Sequence, residues 1–300
     1  MASTTRVPAP HRPVNVLRYT AFSTTPDGGN PAGVVLDAEG LSEERMLAVA
    51  ADVGYSETAF VTAPPAGLDP SGTGRAFGIR YFSPETEVPF CGHATVATGV
   101  ALAERIGPGE MLFASPAGVI PVSVARDGPV LRATLSSVEP HSESVGEEDL
   151  AEALAALGWD ASELDGRIPP RIAFAGAHHL VLAAASRERL ASLDYDFERL
   201  RAFMTRRGLT TLQLVRRSET DERTFHVRDP FPVGGVVEDP ATGAAAAAFG
   251  GYARELGLVG AGSTLTLHQG EDMGRPGVLT VELREGDARV HVSGTAARMD

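Results

Sequence analysis

Lysine is absent from all 300 residues, so every fixed positive side chain is an arginine. That removes a Schiff-base lysine for pyridoxal phosphate, a phosphate-loop lysine and a lysine base. Cysteine occurs once, at Cys91, and no disulfide can form within the chain. A single thiol fits a reducing cytoplasm, which is the expected compartment. Basic charge is scarce: 26 arginines face 39 carboxylates, for a net charge of −13. With no basic stripe to release counterions, nucleic acid is not an expected partner. No apolar run approaches the roughly 20 residues that span a bilayer, so no membrane partner is expected either. Zinc-type spacing is missing too. His178 and His179 are adjacent, and His226, His268 and His291 are scattered. Neither a metal nor an organic cofactor is expected. The first 13 residues carry Pro8, Pro10 and Pro13 but no apolar stretch, and read as a loose tail rather than a signal peptide.

What is present is a long alternation of short elements. Val14–Phe22 alternates like a strand, Thr25–Pro31 is a turn, and Ala32–Leu36 resumes as a strand. Ser42 caps a helix that carries Glu43 and Glu44 in its first turn and ends at Gly54. Tyr55–Val61, Ala76–Phe82, Val119–Val124 and Val130–Leu135 read as strands. In the second half, Asp149–Leu157 and Phe197–Arg207 read as surface helices. Strands are expected at Leu180–Ala184, Leu212–Arg216, Thr224–Arg228, Leu265–His268, Val278–Leu283 and Val290–Ser293. Two stretches differ from these, Gly92–Ile106 and Gly243–Leu256. Both are apolar almost all round, and a helix without a polar face is buried.

These two helices align without gaps, Cys91-Gly92-His93-Ala94 with Thr242-Gly243-Ala244-Ala245, then Gly99 with Gly250 and Glu104 with Glu255. Each follows a turn rich in acid and proline. We read an internal duplication within an α/β (α+β) chain: two pseudo-symmetric domains, each a mostly antiparallel sheet wrapped around one buried helix. The expected division is residues 14–118 and 119–287, with 288–300 returning to the first half.

If the halves face each other, the starts of both helices point into one cleft. Their free N–H groups and dipoles favour an anion such as a substrate carboxylate. Gly92, Gly243 and Ala244 would let a ligand approach the backbone there. Glu57 alternates onto an apolar face with Tyr55, Ala59 and Val61. It suits an acid/base that takes and returns a proton, or it is an edge-strand glutamate with its head in water. His93 falls in the first helical turn, as a hydrogen-bond partner and proton carrier or as a satisfied core histidine. Asp239, before Pro240, is a cap or turn former, or accepts a hydrogen bond from substrate. Cys91 is a nucleophile beside a helix start, or a small buried apolar residue.

Taken in order, the motifs resemble a known family. Tyr19-Thr20-Ala21-Phe22 with Gly29-Asn30-Pro31-Ala32-Gly33 resembles the opening of phenazine-biosynthesis (PhzF-like) proteins. Ser56-Glu57-Thr58-Ala59-Phe60 is similar to their catalytic-glutamate motif, and Phe82 through Thr95 to their second signature. Glu238-Asp239-Pro240-Ala241-Thr242-Gly243 is similar to the third, and Gln269-Gly270 with Gly274-Arg275-Pro276-Gly277 to the fourth. The resemblance runs from about Val14 to Ala297. It implies the diaminopimelate-epimerase-like fold, a homodimer, and a cofactor-independent isomerase acting on a small carboxylic acid of the dihydro-hydroxyanthranilate type. It implies Glu57 as acid/base, His93 and Asp239 in support, and Ser56, Asn30, Gly92, Gly243 and Ala244 about the substrate. The two-cysteine epimerases and racemases of this fold carry a thiol before each helix; here Thr242 holds the second place, which excludes two-thiol racemisation. Ala244 stands where the phenazine enzymes carry serine. That departure points to a different substrate, or to a lyase, dehydratase or cyclase using the same cleft. A non-catalytic small-ligand binding protein is the remaining alternative.

Overall fold

The computed structural model describes residues 13–69 and 72–300. Most of the expected loose tail therefore lies outside the described residues. Two helices, Gly92–Ile106 and Gly243–Glu255, form the two centres of the molecule. Each is buried along nearly its whole length, as an apolar circumference requires.

Around the first helix the strand pairings make a closed circuit. Leu17–Ala21 pairs with Asn30–Val35, which runs parallel to Glu57–Thr62; that strand pairs with Ala76–Phe82. The circuit continues through Gly109–Ser115, Gly118–Asp127 and Val130–Ser136 to the last strand, His291–Met299, and back to Leu17–Ala21. Around the second helix the order is His141–Ser144, Arg171–Phe174, His178–Ala183, Thr211–Arg217, Thr224–Pro230, Thr264–Gln269 and Gly277–Glu282. The last strand joins this sheet as well, pairing His291–Ser293 with Thr280–Glu282. One strand thus belongs to both sheets. Most pairings are antiparallel, with parallel steps where a helix or a long connection intervenes.

Close packing of helix against sheet depends on small residues. A Cβ on Gly250 would lie 2.6 Å from Val281 Cγ1 and 3.0 Å from Val290 Cγ1. At the corresponding place in the first helix, a Cβ on Gly99 would lie 3.2 Å from Val122 Cγ1. In both halves a glycine admits valines from the surrounding strands, which is the physical content of the repeat.

The outer faces of the sheets are covered too. Glu43–Val53, capped by Ser42, packs Met46, Val49 and Ala50 against Phe60 and Phe82. On the second sheet Glu147–Leu157 and Phe197–Arg207 bury Leu154, Leu157, Leu200 and Phe203 against Leu180, Leu182, Leu212 and Leu214. These helices add an outer layer to each sheet that wraps a central helix. Strands such as Glu57–Thr62 lie between two apolar layers, so their residues are buried on both faces. Three strands of four residues or more escape sequence reading: Gly109–Ser115, His141–Ser144 and Arg171–Phe174. The last two are short, and His141–Ser144 is polar throughout.

Phe22 marks the crossing between the halves. It has φ of 64°, the only described non-glycine residue at positive φ. Its N–H donates to Thr295 and its carbonyl accepts from Val278. Its ring fills space left by two glycines, Gly243 at the start of the second helix and Gly294 of the shared last strand. Such a conformation costs about 1–3 kcal/mol and persists when its surroundings fix it from several sides.

Candidate active site

The strands place the first half of the site. Glu57 opens its strand and lies opposite Ala32 of the parallel neighbour. Asn30 is two residues before Ala32, so the side chains of Asn30, Ala32 and Glu57 share one sheet face, the face toward the first helix. His93 projects from that helix's first turn. Its Nε2 lies 3.4 Å from Glu57 Oε2 and 3.4 Å from Ser56 Oγ.

The second half arrives from the other helix. Gly92 and Gly243 face each other so closely that a Cβ on Gly92 would lie 3.9 Å from Gly243 Cα. Neither helix start is capped by a side-chain oxygen. Ala244 is half-buried at the second of these starts. Asp239, just before it, is joined to the first half by Asn30. The Asn30 amide nitrogen donates to Asp239 Oδ1 at 2.8 Å and to the Ala241 carbonyl at 3.1 Å, and lies 3.2 Å from His93 Nδ1. Asn30 therefore uses its amide on protein groups and clamps the two halves. Glu57, His93, Asn30 and Asp239 form one continuous polar chain where the two halves meet.

Two anchors hold this arrangement. Thr242 Oγ1 donates to Asp239 Oδ2 at 2.6 Å, and the Gln269 amide donates to the Asp239 carbonyl at 2.8 Å and to Thr242 Oγ1 at 3.1 Å. Asp239 is thus no helix cap: it receives a hydroxyl from the cap residue, and its other oxygen accepts from Asn30 of the first half. The fourth motif also acquires a role. Arg275 donates to the carbonyls of Gly28 and Gly29 at 2.8 and 3.0 Å, and Gly29 N–H donates to Pro276 O. That clamp fixes the turn from which Asn30 emerges.

Burial pushes the Asp239 carboxyl up to about 6, against the opposing pull of His93 and of the hydroxyl of Thr242. Burial, with the Glu57 charge, also raises the Cys91 thiol well above its ordinary value. A position beside a helix start would lower a thiol pKa; here desolvation wins, and Cys91 is a buried neutral thiol 3.4 Å from His93 Nδ1. Glu57, Cys91 and His93 do bring one ligand atom each within 4.8 Å of one another. A metal there would have to displace a tightly held thiol proton. No described helix is long and apolar enough to cross a membrane.

The raised Asp239 pKa has a stability consequence. A carboxyl held near 6 when folded and 3.8 when unfolded stabilises the fold below pH 3.8, and that contribution is lost as pH rises through 6. Its size is on the order of 3 kcal/mol. Asp239→Asn is expected to be more stable than the parent at pH 8 and nearly equal at pH 4. Urea midpoints at the two pH values check it.

A repeat built on two buried helices whose uncapped starts meet, with a glutamate, a histidine and an aspartate beside them, fits an isomerase. The comparisons agree. Residues 19–300 match the family model described as phenazine biosynthesis-like protein. An isomerase of Mesorhizobium japonicum is 34% identical over 90% of this chain and 90% of its own. The trans-2,3-dihydro-3-hydroxyanthranilate isomerase of Pseudomonas chlororaphis is 31% identical over 91% of this chain and 93% of its own. The PhzF-family phenazine biosynthesis protein of Bacillus anthracis superposes with a TM-score of 0.82 at 25% identity, covering 96% of this chain and 97% of its own. The chain belongs to the phenazine biosynthesis-like family and is an isomerase.

Proposed function

We propose that the protein moves a proton between carbons of a small unsaturated or cyclic carboxylic acid, with Glu57 as the acid/base. The observation that carries this reading is the single polar chain Glu57–His93–Asn30–Asp239 spanning both halves. Glu57 beside His93, with no second thiol opposite Cys91, suits removal and return of one proton by one group.

In the first step the Glu57 carboxylate takes a proton from a carbon made acidic by an adjacent unsaturated or carbonyl group. The resulting anion is delocalised. His93 and Asp239 orient the substrate and stabilise that charge, and Asn30 holds them in register. The free N–H groups at Gly92, Gly243 and Ala244 receive the substrate carboxylate. Glu57, now neutral, returns the proton at another carbon. Ser56, beside His93, completes the wall of the site. Ala244 supplies a backbone N–H but no hydroxyl. An unmatched polar group on the substrate there would lose a few kcal/mol of recognition, which shifts preference toward an acid lacking that group.

The test is incubation with trans-2,3-dihydro-3-hydroxyanthranilate and with related unsaturated cyclic acids in deuterated water, followed by NMR. Deuterium appearing on a carbon of the product supports the reading. Tight binding of these acids with no carbon exchange and no isomerisation would sink it.

A further inference from the structure

Behind Asp239 lies a second carboxyl that the chemistry above does not use. Asp229, in the strand Thr224–Pro230, is the direct cross-strand partner of Asp239. It is fully buried, at 0% exposure. Its surroundings contain acids and amides rather than cations. Gln213 places the end of its carboxamide 2.9 and 3.0 Å from the two Asp229 oxygens. Thr242 and Gln269 are its other polar side-chain neighbours, and the charged groups acting on it are Asp239 and Glu238. The nearest arginine in sequence, Arg228, is committed elsewhere, to Glu238 and the Ala191 carbonyl.

A carboxylate without a cation in such a place loses its hydration and gains repulsion from its neighbours. Two carboxyls sharing one buried site do not both ionise freely. The partners are also shared: the Thr242 hydroxyl donates to Asp239, and Gln269 holds the Asp239 backbone. The side chains that fix Asp239 are therefore also neighbours of Asp229.

We propose that Asp229 is a positioning residue: it keeps a proton inside the second half and, through Thr242 and Gln269, fixes Asp239 so that, of this buried pair, Asp239 alone bears charge. Burial and the neighbouring acids hold its pKa well above the ordinary carboxylate range, in keeping with that role. The proposal rests on the isomerase reading for its kinetic consequence, but not for the protonation itself.

The experiment has two parts on the full chain. Infrared difference spectroscopy reads the carboxylic-acid carbonyl at pH 7.5. A protonated carboxyl signal that persists in Asp239→Asn and vanishes in Asp229→Asn is expected; its absence from the parent protein overturns the proposal. The second part is the pH profile of isomerisation. Asp229→Ala is expected to lower kcat at least tenfold and to move the acid limb. Asp229→Asn, neutral and of the same shape, is expected to recover most of kcat and to leave the limb in place. An acid limb shifted downward in Asp229→Asn would show that Asp229 was charged and contradict the proposal. Equal loss in both variants, each folded by circular dichroism, would also contradict it. If no substrate is turned over at all, the isomerase reading fails while the infrared result still decides the protonation.

Discussion

Glu57→Gln is expected to lower the isomerisation rate by about 10²–10⁴-fold, the usual contribution of a positioned general base. The replacement keeps size and shape and can still hydrogen-bond to His93, 3.4 Å from the native carboxylate. It cannot accept a proton from carbon. Binding should change little, so the loss should fall on kcat rather than on KM. Glu57 is the first residue of its strand and its side chain is 16% exposed, so the fold should not depend on its charge. Steady-state kinetics on protein of unchanged melting temperature measures the effect. Full activity in this variant would remove Glu57 from the chemistry.

The largest expected effect on stability comes from Arg228→Ala. Arg228 meets Glu238 through two parallel hydrogen bonds, 2.9 Å from Nε and 2.5 Å from the other guanidinium nitrogen, and donates to Ala191 O at 2.6 Å. The side chains are only 10% and 3% exposed. Removing the guanidinium strands a buried carboxylate, which costs about 3–5 kcal/mol. Because Glu238 immediately precedes Asp239, the site should loosen with it. Urea denaturation should show the drop, and Arg228→Met combined with Glu238→Leu should recover much of it, since a buried pair replaced by apolar residues of similar volume is often neutral. A midpoint unchanged in Arg228→Ala would show that the pair contributes nothing.

The parts of this molecule that the sequence reveals are those with a strong local pattern. Gly92–Ile106 and Gly243–Glu255 are legible because an apolar circumference has one explanation, and their gapless alignment exposes the repeat. Glu57, His93 and Asp239 are legible mainly through the motifs around them, since each residue alone has an ordinary structural reading. What escapes is whatever depends on distant pairing. Asn30 is read as a substrate contact, yet its amide lies between His93 and Asp239, residues brought together only by the meeting of the halves. Asp229 gives no signal in sequence: its neighbours Gln213, Thr242 and Gln269 come from three separate elements. Cys91 shows the limit of a local rule. Its place before a helix would by itself lower the thiol pKa, but burial beside Glu57 reverses the sign, and the reading as a small buried residue holds. The strand His141–Ser144 is polar because it sits at an edge, and alternation cannot find it.

Two groups in the cleft are close enough to His93 to compete for the role of base, the Glu57 carboxylate and the Cys91 thiol, each with an atom 3.4 Å from the imidazole. Deuterium incorporation into product by Cys91→Ala, measured beside the parent protein, separates them most directly. Incorporation close to the parent rate is the predicted result, since a buried thiol held neutral is a poor base. Abolished incorporation in a folded Cys91→Ala protein would place the proton on sulfur and contradict the one-carboxylate account.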